Sequence, residues 1–366
     1  MVRCSLFDLK SLSIAAALGA IAVKVINPFL NDWIAPPVEL SKDAHSTPYD
    51  PEKSTDIMEY PDMGFVREGQ QVELNMGLTF ILQQSFPRWF VTLLQRYEAR
   101  NSNSNEIQMK RDYESKNVNI LDARQRDYLK FDEAGFALLD MSDFNFSSVV
   151  NWRSQQDIKL FQSALEAKLR KELFPQATRI VFTYSVVRGG SQFGDQPAAI
   201  NAPHLDYSQN DTARHEFHQS WPPFDYKYNK EQHILMGTAP TDEDEVLSVL
   251  LGIWKPIYMN NPVCDHPLAV MDGRTFHQNQ EVPHPIHINF GIFTFHNLNG
   301  GVKYNESQKW YYYPFQKEEE VLVFTQYTKD DYFCTPHGSF ENPNCPDDYD
   351  TRVSVEMRAA VFVKKL

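Results

Sequence analysis

Positive charge is what this sequence most lacks. Its 35 Lys and Arg stand against 48 Asp and Glu, a formal net charge of -13 over 366 residues. Binding to phosphate backbones needs clustered cations, and no basic stripe occurs anywhere, so nucleic acid is excluded as a partner. Cysteine is also scarce. Cys4, Cys264, Cys334 and Cys345 are too few and too scattered for a disulfide scaffold or a zinc knuckle. Cys334 and Cys345 flank one loop and can pair in an oxidising compartment; free thiols are the plainer reading. No phosphate loop is present, because "VRGGSQFG" has the glycines but neither a Lys-Ser/Thr nor a helix after it. A Gly-x-Ser-x-Gly elbow and a paired acidic motif are missing too, which leaves a hydrolase poorly supported.

Long apolar runs are equally absent. "SLSIAAALGAIAV" at 11–23 stops at Lys24, short of the roughly 20 residues a bilayer requires. With Lys24 snorkelling, residues 11–30 just span; the alternatives are a docked helix or the core of a signal peptide, for which no convincing cleavage site follows. The expectation is an intracellular protein, with membrane contact through residues 11–30 left open. Residues 1–30 form an apolar segment and 31–75 a Pro- and Asp-rich extended leader. Residues 76–366 read as a single catalytic domain.

What is present is core material: 42% apolar and 13% aromatic residues, enough for one elaborated domain. "LNMGLTFILQQSFPRWFVTLLQRYEA" has mostly helical period, interrupted at Pro87. "SQQDIKLFQSALEAKLRKELF" at 154–174 predicts an amphipathic helix with Ile158, Phe161, Leu165 and Leu169 on one stripe. Strand texture follows: "RIVFTYSVVR", "VLSVLLGIWKPI", "PLAVMD", "HINFGIFTF", "WYYYPF", "VLVFTQYT" and "VSVEMRAAVFV" are short β-branched or aromatic runs between turn residues. Helices first and strands later, without βαβ alternation, favour an antiparallel double sheet.

"INAPHLDYSQ" carries the first chemical signal. Residues i and i+2 of a strand share a face, so His204 and Asp206 can both reach one ion. A lone His-x-Asp is weak evidence, but "CTPHGSFENP" supplies His337 far downstream. Two imidazoles and a carboxylate on one face of an octahedral metal leave three open positions, the arrangement of non-haem Fe(II) oxygenases. "TRVSVEMR" then places Arg352 and Ser354 on one face of the final strand, a guanidinium and a hydroxyl suited to a cosubstrate carboxylate, with Arg358 a same-face alternative.

Across roughly residues 180–364 the chain resembles the fungal hydroxylase/desaturase family related to gibberellin desaturase and a cephem-methoxylase subunit. The segments that carry the resemblance are "PHLDYSQNDTARHEF", "GIWKPIYMNNPVCDHPLAVMDGRT", "WYYYPFQKEEEVLVFTQYT", "TPHGSF" and "TRVSVEMRAAVFV". It implies a mainly β fold with α elaboration: a double-stranded β-helix (jelly roll) core at about 178–366, flanked by helices. It also implies Fe(II) on His204, Asp206 and His337, 2-oxoglutarate on Arg352 and Ser354, dioxygen as oxidant, and hydroxylation or desaturation of a small apolar metabolite. The family carries Arg where this chain has Lys255, and the polar stretch 221–245 is longer than the usual connection, which suits a lid over the pocket.

Tyr184, Arg188, Trp254 and Lys255 are candidate substrate contacts. His215 with His218, and His284 with His287, read as structural pairs, and "WYYYP" reads as core. A non-catalytic cupin-like binding module is the alternative function.

Overall fold

The computed structural model describes residues 58–66, 113–189, 202–214, 244–289, 294–328 and 332–365, apart from 150, 153 and 347. Residues 1–57, the helical stretch predicted after residue 75, His215, His218 and nearly all of 221–245 lie outside the described residues. Among those described, no helix is long and apolar enough to cross a membrane.

Strand β1 (Met58–Val66) is followed by β2 (Tyr113–Asp122), the single-turn helix α1 (Phe131–Ala134), β3 (Phe136–Asp140) and helix α2 (Gln155–Glu172). Ten strands complete the chain: β4 (Ala177–Arg188), β5 (His204–Leu205), β6 (Glu245–Pro256), β7 (Leu268–Met271), β8 (Glu281–Asn289), β9 (Thr294–Val302), β10 (Trp310–Tyr312), β11 (Glu320–Thr328), β12 (His337–Ser339) and β13 (Ser354–Lys364). They form an eight-stranded sheet in the order β1-β2-β10-β7-β12-β5-β9-β8 and a five-stranded sheet in the order β3-β11-β6-β13-β4. All pairings are antiparallel except β10 with β2. The architecture is the expected jelly roll, mainly β, with a helix against it.

Helix α2 forms where the apolar spacing predicts. Ser154 caps it, its hydroxyl accepting from the Asp157 backbone N–H, while Arg170 and Lys171 in the last turn face the negative end of the helix dipole. Ile158, Phe161, Leu165 and Leu169 are all buried against the outer face of the five-stranded sheet. Each such side chain contributes roughly 1.5–3 kcal/mol on burial.

Period-two alternation sorts that sheet into two faces. Val355, Met357, Ala359 and Val361 of β13, with Val249, Leu251 and Ile253 of β6, pack toward α2. The residues between them look inward, where Trp254, Phe136, Leu322 and Phe324 meet Val270 and Tyr311 of the opposite sheet.

Two boundaries differ from the sequence reading. The core does not begin at about 178, because β2 and β3 already belong to the two sheets. Nor is 31–75 wholly a leader, since β1 pairs with β2 from Met58 to Val66. In β2 the reason is plain: Val118 and Ile120 are buried while Asn117 and Asn119 are exposed, an alternation carried by only two apolar residues.

A candidate metal centre between the sheets

His337 meets the distant pair His204 and Asp206 because β5 and β12 are neighbours. His337 pairs directly with His204 across the antiparallel ladder, and Asp206 follows two residues after His204. The ring centroids lie 4.5 Å apart. His204 Nε2 is 3.7 Å from Asp206 Oδ1, and His337 Nε2 is 3.9 Å from Asp206 Oδ2. One donor atom from each residue falls within 4.8 Å of the other two, a spacing that a single ion can bridge.

The chemistry of the donors fits a divalent metal. His204 Nδ1 lies 2.8 Å from the Ala202 carbonyl, which can only accept, so Nδ1 carries the proton and Nε2 presents its lone pair. Burial and the neighbouring His204 push His337 down to about 4, so its ring is neutral at pH 7 and needs no deprotonation to ligate. The Phe324 ring, 4.6 Å from that of His337, fixes its plane.

Asp206 is buried and held on every side. Its backbone N–H donates to Gln326 Oε1 (3.3 Å), and Gln326 Nε2 donates to Oδ2 (2.5 Å). Asn297 Nδ2 donates to the Asp206 carbonyl at 2.8 Å, and Arg358 Nη2 lies 3.0 Å from Oδ1.

That last contact decides which face of β13 looks at the triad. Alternation then carries Glu356 and Ser354 to the same side. The Arg188 Nε donates to Glu356 Oε2 at 2.7 Å, and Arg358 Nη2 to Oε1 at 3.3 Å. Burial would raise the Glu356 carboxyl, but Arg188 and Arg358 outweigh it and hold it well below the usual carboxylate range.

Arg352 sits just before β13. Its Nη1 donates to the His266 carbonyl at 2.6 Å, and its guanidinium lies 5.6 Å from the Trp254 ring. Burial and nearby Arg188 push it down to about 10, which leaves it charged at pH 7. Beside it, the buried Ser354 Oγ has no hydrogen-bond partner among the described residues, so it lacks the acceptor that a ligand carboxylate would provide. Gly189, at φ 90°, lets β4 end against this point, since a Cβ there would sit 2.0 Å from the Arg352 carbonyl oxygen.

His204, Asp206 and His337 are thus brought together, and Ser354, Arg188 and Trp254 sit on inward positions of the facing sheet, with Arg352 just before its strand β13. Tyr184 is in register with Arg358, and its side chain lies outside the described residues. Arg358 is engaged with Asp206, Glu356 and the Tyr207 hydroxyl rather than presented to a cosubstrate. Lys255 corrects the sequence reading. Adjacent to inward-facing Trp254, it points the other way, is fully buried, and lies over Trp152, Phe146 and Phe161 at 4.5, 4.7 and 5.7 Å. It cannot touch substrate. Sequence reasoning missed Gln326, Asn297 and Glu356; only Glu356 carried a signal, its even spacing from Ser354 and Arg358.

A family profile described as an oxidoreductase/YMDC permease-like domain matches residues 90–362. The aspirochlorine biosynthesis protein N of Aspergillus oryzae is 30% identical over 151 residues, 39% of this chain and 59% of that protein. The Fe(II)/2-oxoglutarate-dependent dioxygenase nvfI of Aspergillus novofumigatus is 32% identical over 114 residues, covering 30% of this chain and 39% of the relative. For the hydroxylase/desaturase asaB of Aspergillus flavus the figures are 34% over 162 residues, 36% and 69%. The matches thus span from 39% to 69% of these relatives' lengths. Among solved structures, the iron and alpha-ketoglutarate-dependent endoperoxidase NvfI superposes with a TM-score of 0.59 at 20% identity, covering 85% of this chain and 99% of that one. At that identity the likeness concerns the fold.

Proposed function

The chain belongs to the oxidoreductase/YMDC permease-like domain family, and from that premise we propose that it is an Fe(II)/2-oxoglutarate-dependent oxygenase that hydroxylates or desaturates a small secondary metabolite in a fungal pathway. The observation that carries the reading is the His204–Asp206–His337 cluster, with its ligand atoms within 4.8 Å of one another. His204, Asp206 and His337 would hold the metal. Fe(II) with 2-oxoglutarate and dioxygen supplies oxidising power, consuming the keto acid to succinate and carbon dioxide while a substrate C–H bond is oxidised.

Every other task falls to the chain itself. Arg352 offers a charged fork, and Ser354 a hydroxyl in need of an acceptor, to the far carboxylate of 2-oxoglutarate. Trp254 over the guanidinium keeps water from that ion pair. Phe324 and the Ala202 carbonyl hold the two imidazoles in orientation, so little reorganisation accompanies binding. The names of the fungal relatives support a secondary-metabolite substrate, and an intracellular setting, where 2-oxoglutarate is made, completes the proposal.

Succinate release from 2-oxoglutarate in the presence of Fe(II) tests the assignment. His204→Ala should abolish it, and undiminished turnover would remove the triad from the reaction. Arg352→Ala should raise the KM for 2-oxoglutarate by at least tenfold, on the ~1.5–3 kcal/mol of a charged hydrogen bond. A cupin-like binding module, the alternative, would show no such coupling.

A further inference from the structure

We propose that Gln326 is a positioning residue that sets the orientation of the metal-binding Asp206 carboxylate. The inference rests on the reading of His204, Asp206 and His337 as a metal site. Gln326 is 1% exposed and grips Asp206 at two points, accepting from its backbone N–H at 3.3 Å and donating to Oδ2 at 2.5 Å. A side-chain amide is the group that can do both at once, since it carries a donor and an acceptor a fixed distance apart. The two contacts together hold the side-chain torsions of Asp206 and leave Oδ1 toward His204.

Three features of the fold converge on this amide. The β11–β6 ladder shifts register between Thr325 and Tyr327, so Gln326 is the extra residue of a bulge, a device that re-aims a side chain out of the regular alternation. Gly252 on the neighbouring strand leaves room for it, because a Cβ there would come within 2.8 Å of Gln326 Nε2. Gln209 Nε2 donates to the Gln326 carbonyl at 3.0 Å and pins the bulge from the side of the ligand loop. The amide is also neutral. Arg358 on Oδ1 draws on the same negative charge a cation needs, whereas Gln326 fixes the carboxylate without diminishing its charge.

Titration of the metal-free full-length chain with Co(II), followed by visible absorption, tests the role without turnover. Gln326→Met removes donor and acceptor at similar volume. Gln326→Asn keeps the amide but falls one methylene short. Both should bind Co(II) roughly 10- to 100-fold more weakly than the parent, with a changed absorption spectrum. Parental affinity and spectrum in either folded variant overturn the positioning role. If the parent takes up no Co(II), or His204→Ala takes it up equally well, the metal assignment itself falls.

Discussion

Lys255→Met should make the protein more stable near neutral pH. The ammonium is fully buried between β6 and α2 and donates to the Pro256 carbonyl at 2.7 Å. Desolvation pulls the group from 10.5 down to about 7, with Glu318 and Glu319 opposing. At 1.36 kcal/mol per pH unit, that corresponds to about 5 kcal/mol lost by charging the lysine in the fold. The rings of Trp152, Phe146 and Phe161 at 4.5, 4.7 and 5.7 Å return part of it, about 1 kcal/mol each. A net penalty of about 2 kcal/mol remains for methionine, of similar length and without charge, to relieve. The folded value lies below the unfolded one of 10.5, so folding releases a proton in the window between the two. The parent therefore gains stability as pH rises through that window and carries the whole penalty below it. Urea denaturation of both proteins from pH 6.5 to 9.5 should show the variant ahead by about 2 kcal/mol at neutral pH, and the lead should shrink as pH rises. Parallel curves, or a variant less stable throughout, would refute the assignment of a desolvated lysine.

Leu165→Ala, in the buried stripe of α2, should destabilise by about 2–5 kcal/mol in the same assay while leaving Co(II) uptake intact. Glu356→Gln should remove a pH dependence: the parent's contribution from this carboxyl is complete above its unfolded value of 4.5 and drains away as pH falls, and the variant should lack that acid-side slope in denaturation. Gly189→Ala places a methyl group against the Arg352 carbonyl at positive φ, so 2-oxoglutarate binding, read by calorimetry on the Co(II)-loaded protein, should weaken more than Co(II) binding does.

The three residues of the candidate metal site were legible because their chemistry is written in residue type and spacing. His204 and Asp206 share a strand face, and His337 stands in a separate run before Arg352 and Ser354. The strong strands β4, β6, β11 and β13 were legible for the same reason, as dense β-branched runs. Gln326 was not, since a bulge depends on the register of two strands that only meet in the fold. Lys255 shows the opposite case. The alternation that places Trp254 inward requires its neighbour to point outward, so Trp254 and Lys255 cannot both be substrate contacts. β1 escaped notice because its partner β2 lies far along the chain, and pairing across such distances leaves no local trace.

The strands that carry the two histidines are among the shortest described: β5 has two residues and β12 three. They are also in the interior of the eight-stranded sheet, and in its hydrogen-bonded order they join the β1-β2-β10-β7 half to the β9-β8 half. So few ladder hydrogen bonds make a weak seam, and His204 opposite His337 lies on it. An ion gripped by both would act as a clasp across the seam. Amide protons of residues 204–206 and 337–339 should then exchange much faster in chelator-treated protein than in Co(II)-loaded protein, while those of β6 and β13, deep in the other sheet, should exchange at the same rate in both.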